Sequence, residues 1–228
     1  YWLYFVTSTS FKLASALVRS MKVEVVCRDL DLLKIINIEP IKYQEALKKT
    51  LSEIVENRIV SSWRDSLTSS AFNLNISEFL QIPIFGCFQD KRIHQISNKP
   101  ECIDRIWSIG GQRGWYYANA LWKLRGFIDK LFGGVGLRRG RTQKDILNVG
   151  DAIDFWRVLY ADKKEGRLLL FAEMKLPGEA WLEFKIMGSH LEQTATFRPK
   201  GVWGRLYWYA VFPFHGFIFK GMLNNLTK

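Results

Sequence analysis

Ala180-Trp-Leu-Glu-Phe-Lys-Ile-Met187, a Gly188-Ser189 break and His190-Leu-Glu-Gln-Thr-Ala-Thr-Phe-Arg198 decide the fold. Leu182, Phe184 and Ile186 recur with period two, and so do Leu191, Gln193, Ala195 and Phe197. Side chains of a strand alternate between faces, so each run is a strand with one mainly apolar face. The two residues between them make an antiparallel hairpin. Working backwards, Arg167–Lys175 and Ala152–Ala161 read as two more strands, with turns at Leu176-Pro-Gly-Glu179 and Asp162-Lys-Lys-Glu-Gly166. Such a meander cannot bury its apolar face alone and needs a long apolar element across it. Gly114–Gly133 and Val202–Thr227 are the two candidates.

Outward from the meander, Gly86–Ser97 alternates as a further strand. Asn98-Lys-Pro-Glu101 opens a helix with proline in its first turn, ended by Gly110-Gly111. In Gly114–Gly133, Tyr117, Leu121, Leu124, Ile128 and Leu131 make the expected buried stripe. Trp115, Ala118, Trp122 and Arg125 make a second one beside it. Val202–Thr227 is expected to bury Trp203, Leu206, Tyr207, Ala210, Phe214, Phe217, Ile218 and Met222 and to kink at Pro213, which lacks an N–H. Phe212 and Phe219 fall off that face. Nearer the start, helices are expected at Ser8–Met21 and from Pro40 to Glu56, with a strand at Lys22–Cys27 between them. Ile59–Trp63 reads as a short strand before a polar loop.

The chain has 228 residues, 48% hydrophobic, and its 16 Phe, 9 Trp and 8 Tyr exceed what a core of this size needs. A pocket or an interface takes the surplus. The net charge of +11 suits an acidic partner, though a plain basic domain has the same balance. Rings at core spacing rather than interleaved with exposed Lys and Arg argue against nucleic acid. Cys27, Cys87 and Cys102 are odd in number and form no CxxC, which points to a reducing, cytoplasmic compartment. The opening Tyr1-Trp-Leu-Tyr-Phe-Val6 has neither an initiator Met nor a signal peptide's basic region, so a cut from a longer protein is expected.

The order strand, two helices, four strands, long helix predicts an α+β domain: a curved antiparallel sheet gripping a long C-terminal helix. It resembles the START/Bet v 1-like (SRPBCC) helix-grip superfamily, whose members hold apolar ligands between sheet and last helix. Longer motifs carry a narrower resemblance. Ile109-Gly-Gly-Gln-Arg-Gly-Trp-Tyr-Tyr117, Arg125-Gly-Phe-Ile-Asp-Lys130, Gly134-Val-Gly-Leu-Arg-Arg-Gly-Arg141 and Gly150-Asp-Ala-Ile-Asp-Phe-Trp-Arg-Val158 are similar to an uncharacterised bacterial domain. So are Glu173-Met-Lys-Leu-Pro-Gly-Glu-Ala-Trp-Leu182, Gln193-Thr-Ala-Thr-Phe-Arg-Pro199 and Trp203-Gly-Arg-Leu-Tyr-Trp-Tyr209. That domain sits behind an NAD(P)-binding Rossmann domain of the short-chain dehydrogenase/reductase (SDR) class. The resemblance implies that residues 1–56 are the tail of the Rossmann partner and 57–228 the helix-grip domain of an SDR-type oxidoreductase. NAD(P) would then belong to the missing half, with no cofactor in this chain.

The residues themselves set limits on chemistry. His94, His190 and His215 stand far apart with no HxH or HExxH, so no metal site is expected. Tyr160 and Lys164 match a Tyr-x-x-x-Lys spacing but span a turn, which excludes the shared helical face that pair requires. Arg138, Arg139 and Arg141 on the glycine-rich loop, and Arg113 on Gly110–Gly114, are candidate anion contacts, against the plainer reading of solvated basic turns. Trp156, Glu173, Trp181, Gln193, Trp203, Tyr207 and Phe217 are the expected lining of a cavity for an apolar or amphipathic small molecule. For Glu173 two readings stand level: a ligand-orienting carboxylate, or one member of a cross-strand ion pair. The alternatives to a ligand-binding module are a domain completing the oxidoreductase active site and a domain docking on a membrane or another protein through its last helix.

Overall fold

The computed structural model describes residues 11–26, 35, 39–55, 81–111, 113–136 and 146–228. The elements in chain order are α1 (Phe11–Ser20), α2 (Tyr43–Val55), β1 (Phe88–Gln95), α3 (Lys99–Trp107), α4 (Asn119–Leu131), β2 (Ala152–Ile153), β3 (Trp156–Asp162), β4 (Arg167–Ala172), β5 (Gly178–Met187), β6 (His190–Pro199) and α5 (Gly201–Thr227). It is a mixed α+β fold. The six strands form one sheet in the order β1-β6-β5-β4-β3-β2, with every pairing antiparallel. The meander stands from Trp156 to Pro199, and β1 joins its outer edge along β6, but the single strand expected at Ala152–Ala161 is two: Asp154, at a left-handed φ of 53°, turns the chain so that β2 folds back antiparallel on β3.

Register sorts the side chains by face. Val158↔Leu170, Leu170↔Leu182 and Leu182↔Ala195 put one apolar row across four strands. α5 lies over this face, on β6 and β1, where Phe88 stacks on Trp208 at 5.5 Å. The main core fills the space between them. The far face carries a smaller cluster of Leu159, Leu169, Phe171 and Trp181. Cross-strand ion pairs continue that face: Arg167–Glu183 at 2.8 Å, Lys91–Glu192 at 2.9 Å, and Arg198–Glu179.

Three local expectations need correction. Glu24–Val26 has no regular structure, and no described strand pairs with it, so the Lys22–Cys27 strand has no ladder to join. The helix expected from Gly114 starts only at Asn119, because Tyr116 and Ala118 adopt left-handed φ values of 60° and 52°. That helix also buries the other stripe: Trp122, Gly126, Asp129 and Lys130 are inside, whereas Leu124 and Leu131 are more than half exposed. Asp129 accounts for this rotation. Its carboxylate accepts the backbone N–H of Gly136 at 2.8 Å and of Lys175 at 2.6 Å, which turns that side of α4 inward.

α5 is rotated as well. Its buried line is Gly204, Trp208, Phe219, Met222, Leu223 and Leu226, while Trp203, Leu206, Phe214 and Phe217 are exposed. Gly204 sets the rotation. A Cβ there would overlap the Pro177 carbonyl oxygen and come within 2.8 Å of Pro199 Cα, so only glycine brings the helix this close to the sheet. At the other end Ser97 N–H donates to the Thr227 carbonyl at 3.0 Å, and Arg105 donates to the Asn225 carbonyl at 3.1 Å. The helix runs on through Pro213. The strand expected at Ile59–Trp63 and the boundary placed between 56 and 57 lie outside the described residues.

Candidate functional site

Between the sheet, α4 and α5 lies a cavity of about 280 Å³. Its walls are almost wholly apolar. α4 gives Leu121, Trp122, Leu124, Arg125 and Ile128, the sheet and its connections give Trp156, Met174, Leu176, Ala180, Ala195 and Phe197 among others, and α5 gives Tyr207, Trp208, Val211, Phe214, His215, Ile218 and Phe219. Leu124 and Phe214 are exposed, at 53% and 55%, so the cavity opens where α4 and α5 face solvent. Among the described lining residues Arg125 alone carries a fixed charge, and its guanidinium lies 6.0 Å from the Tyr207 ring centroid.

The polar atoms around this cavity are unevenly served. Three indoles cluster at its inner end: Trp115 stacks on Trp122 at 4.8 Å and lies 6.0 Å from Trp156. Trp115 is not in the wall, and its Nε1–H donates to Asp154 Oδ2 at 2.9 Å. Trp122 and Trp156 contribute to the wall, and among the described residues their Nε1–H groups, themselves closed off, have no partner. On the α5 side, Trp208 meets the His215 ring edge-on at 5.1 Å. His215 Nδ1 is 4.0 Å from Asp90 Oδ2, beyond hydrogen-bond reach, while Asp90 is held in a two-point bridge by Arg92, both bonds 3.0 Å. Burial pushes the His215 pKa down to about 4, against the pull of Asp90, so the imidazole is neutral near pH 7.

The residues expected to line the cavity divide. Trp156 and Tyr207 are in the wall. Trp181 contributes to it, but its ring turns to the far face against Phe171, with centroids 5.3 Å apart. Glu173 is on the far face too, sealed in an ion pair with Arg157 whose side chains are 0% and 1% exposed. Gln193 is fully buried on the face under α5, in register with Arg92 and Phe184, outside the cavity wall, and its amide has no partner among the described residues. Trp203 is 78% exposed and outside the wall. Phe217 borders a second hollow of about 600 Å³ with Tyr117, His94, Lys220 and Asn225, along the C-terminal end of α5. Trp122 and His215 were not among the expected lining residues. Trp122 had a signal, as a member of the second α4 stripe, whereas His215 had none.

The anion candidates also divide. Arg113 is exposed on the Gly110–Gly114 bridge, and Arg138, Arg139 and Arg141 lie outside the described residues. In the described part of the glycine loop the anion that the backbone meets is the protein's own Asp129, and a Cβ at Gly134 would overlap that carboxylate. Tyr160 Oη donates to Glu165 at 2.7 Å across the β3–β4 turn, which occupies it apart from Lys164. Among the described residues no three His, Cys, Asp or Glu side chains group as metal ligands, and no helix is long and apolar enough to cross a membrane.

Comparison with curated proteins finds no match. A family model does match, over residues 87–222, from the last residue before β1 to the final turns of α5. The match covers the sheet, the cavity and both helices that close it, and more than half of the chain. The chain therefore belongs to the family described as protein of unknown function (DUF2867).

Proposed function

We propose that this domain is a binding module for an apolar or amphipathic small molecule, held between the sheet, α4 and α5 in the manner of a helix-grip fold. The observation that carries the proposal is the cavity of about 280 Å³, walled by rings and aliphatic side chains and open at one side. Its size is near the lower end of ligand pockets, roughly 300 Å³. A soluble core closes such space, since each buried void costs packing energy. An apolar body would fill the interior, and an anionic head would meet Arg125.

Native mass spectrometry of the purified chain tests this, first gentle and then denaturing, with solvent extraction of the same sample. A stoichiometric small molecule, absent from folded Ala195→Leu protein with its narrowed cavity, is the expected result. A bare mass together with no binding across a panel of apolar compounds would sink the proposal.

A second reading has its own observation. Trp203, Leu206, Tyr209, Phe212, Phe214 and Phe217 on α5, Phe127 and Leu131 on α4, and Phe132 just past its end are all exposed. α5 has no Asp or Glu, and its basic residues are Arg205, His215 and Lys220. An apolar surface bearing cations alone suits an anionic lipid surface, from which an apolar ligand would enter the cavity mouth. Sedimentation with phosphatidylserine vesicles but not with phosphatidylcholine vesicles supports it, and equal recovery with neither overturns it.

The SDR-type parent rests on the motif resemblance alone. On that reading the module presents its ligand to, or regulates, an NAD(P)-dependent Rossmann partner. NAD(P)H turnover by the parent, stimulated by the extracted molecule, would support it. Turnover indifferent to that molecule and to Ala195→Leu would remove it.

A further inference from the structure

We infer that the ligand of the cavity is an amphipathic monoanion of the carboxylate class, and that Arg125 of α4 pairs with its head at the cavity mouth. This rests on the ligand-binding proposal above and narrows it from any apolar guest to one charged at a single end.

Arg125 is half-buried in a wall of rings and aliphatic side chains, and it is the one fixed charge among the described lining residues. Its side chain reaches from α4 toward α5, with the guanidinium carbon 6.0 Å from the Tyr207 ring centroid. Leu124 and Phe214, from the same two helices, are more than half exposed and line the cavity as well. The guanidinium therefore stands between the two helices that flank the opening, not in the sealed interior.

A guanidinium has five N–H donors and no acceptor, and it does not lose its charge. The acid that helix geometry places within its reach is Asp129, four residues on. Asp129 is 1% exposed, and its two oxygens accept backbone N–H groups instead, from Gly136 at 2.8 Å and Lys175 at 2.6 Å. The ion pairs among the described residues join other cations, and none includes Arg125. The Tyr207 ring is no substitute, since about 6 Å is the outer reach of a cation–π contact.

A half-buried cation with no counter-charge, at the edge of an apolar cavity, selects a guest that brings one negative charge and leaves its body inside. The planar fork of one guanidinium matches one carboxylate in geometry and in charge. A phosphate monoester carries roughly −1.5 to −2 at pH 7 and calls for a second cation, which the described wall lacks.

Decanoate and 1-decanol test this on the full chain, by displacement of a neutral fluorescent dye. They share one apolar chain and differ in the head. An apolar hole alone prefers the alcohol, because a carboxylate gives up its water at far greater cost. Pairing with Arg125 should reverse that order, with decanoate bound about tenfold tighter, the effect of one charge-assisted hydrogen bond. Arg125→Met keeps an apolar stem, so it should keep decanol affinity and lose the decanoate preference. On the unmodified chain the carboxyl 13C signal of labelled decanoate should titrate below its free value, because the guanidinium favours the ionised head. Decanol binding as tightly as decanoate, or a carboxyl midpoint raised above the free value, overturns the inference and leaves the cavity proposal standing. Decyl phosphate bound more tightly than decanoate overturns the carboxylate class. Failure of every probe to displace the dye overturns both proposals. The 13C titration needs no variant and decides the matter even where Arg125→Met does not fold.

Discussion

Arg157 grips Glu173 at two points, Nε to Oε1 at 2.8 Å and Nη2 to Oε2 at 3.1 Å, with both side chains closed off from solvent. A third donor, Nη1, reaches the Gly150 carbonyl at 2.6 Å. The pair ties β3 to the end of β4 and anchors the loop before β2. Glu173→Ala strands a buried guanidinium and should cost about 3–5 kcal/mol, read as a lowered urea midpoint. The double variant Arg157→Met with Glu173→Leu should cost less than either single change. Additive losses would show that the pair is not coupled.

His215 should make stability depend on acid. Its folded pKa of about 4 lies below the ordinary 6.5, so the unfolded chain binds a proton that the folded chain refuses. Stability is then full above pH 6.5 and falls as pH drops toward 4, by at most roughly 3 kcal/mol. Asp90 and Arg92 face the ring and act in opposite directions. Chemical denaturation of wild type and His215→Leu across this window should show the slope shrinking in the variant. Parallel profiles would contradict it.

Two glycines of α5 should respond oppositely to the same change. Gly204→Ala puts a methyl into the Pro177 carbonyl and the Pro199 backbone and should lower the melting temperature, although alanine is the better helix former. Gly216→Ala meets nothing within 4 Å and should raise stability by about 0.5–1 kcal/mol. Matching shifts would mean that α5 is not seated at Gly204.

Burial pushes the Cys102 thiol up to about 11, so little thiolate exists at pH 8. Cys102 should resist a thiol reagent in the native chain and react fully in denaturant, with Cys87 modified first, as read by peptide mapping. Prompt native labelling of Cys102 would mean that α3 opens readily.

The sheet was legible because a strand's period is two and admits one answer. Leu182, Phe184 and Ile186 can share a face only one way, and the turns around them are short. The helices were legible as helices but not in their orientation. α5 is greasy on every side, so Trp203–Tyr207–Phe214 and Gly204–Trp208–Phe219 are equally good stripes by period. The choice was made by the absence of a side chain at Gly204, which hydrophobic patterns do not record. In α4 the choice was made by Asp129, a charge that a pattern reading sends outward and that two backbone amides, one seven residues on at Gly136 and one 46 residues on at Lys175, bring inward. Glu173 was left open between a ligand contact and an ion pair because its partner is 16 residues away in sequence and the turn geometry decides whether they meet. The two bare indoles were invisible for the same reason: an unpaired donor is a fact about neighbours.

α5 is pinned at both ends and softened in the middle. Gly204 is wedged at Pro177 and Pro199, and Thr227 and Asn225 are tied to Ser97 and Arg105. Midway, Pro213 offers no N–H to the Tyr209 carbonyl. The cavity lies under this middle, between Tyr207 and Phe219. Such a beam, clamped at its supports and notched at its centre, flexes at the notch when loaded from below. A guest larger than the empty space would bow the span outward at Pro213 and leave its anchorages in place.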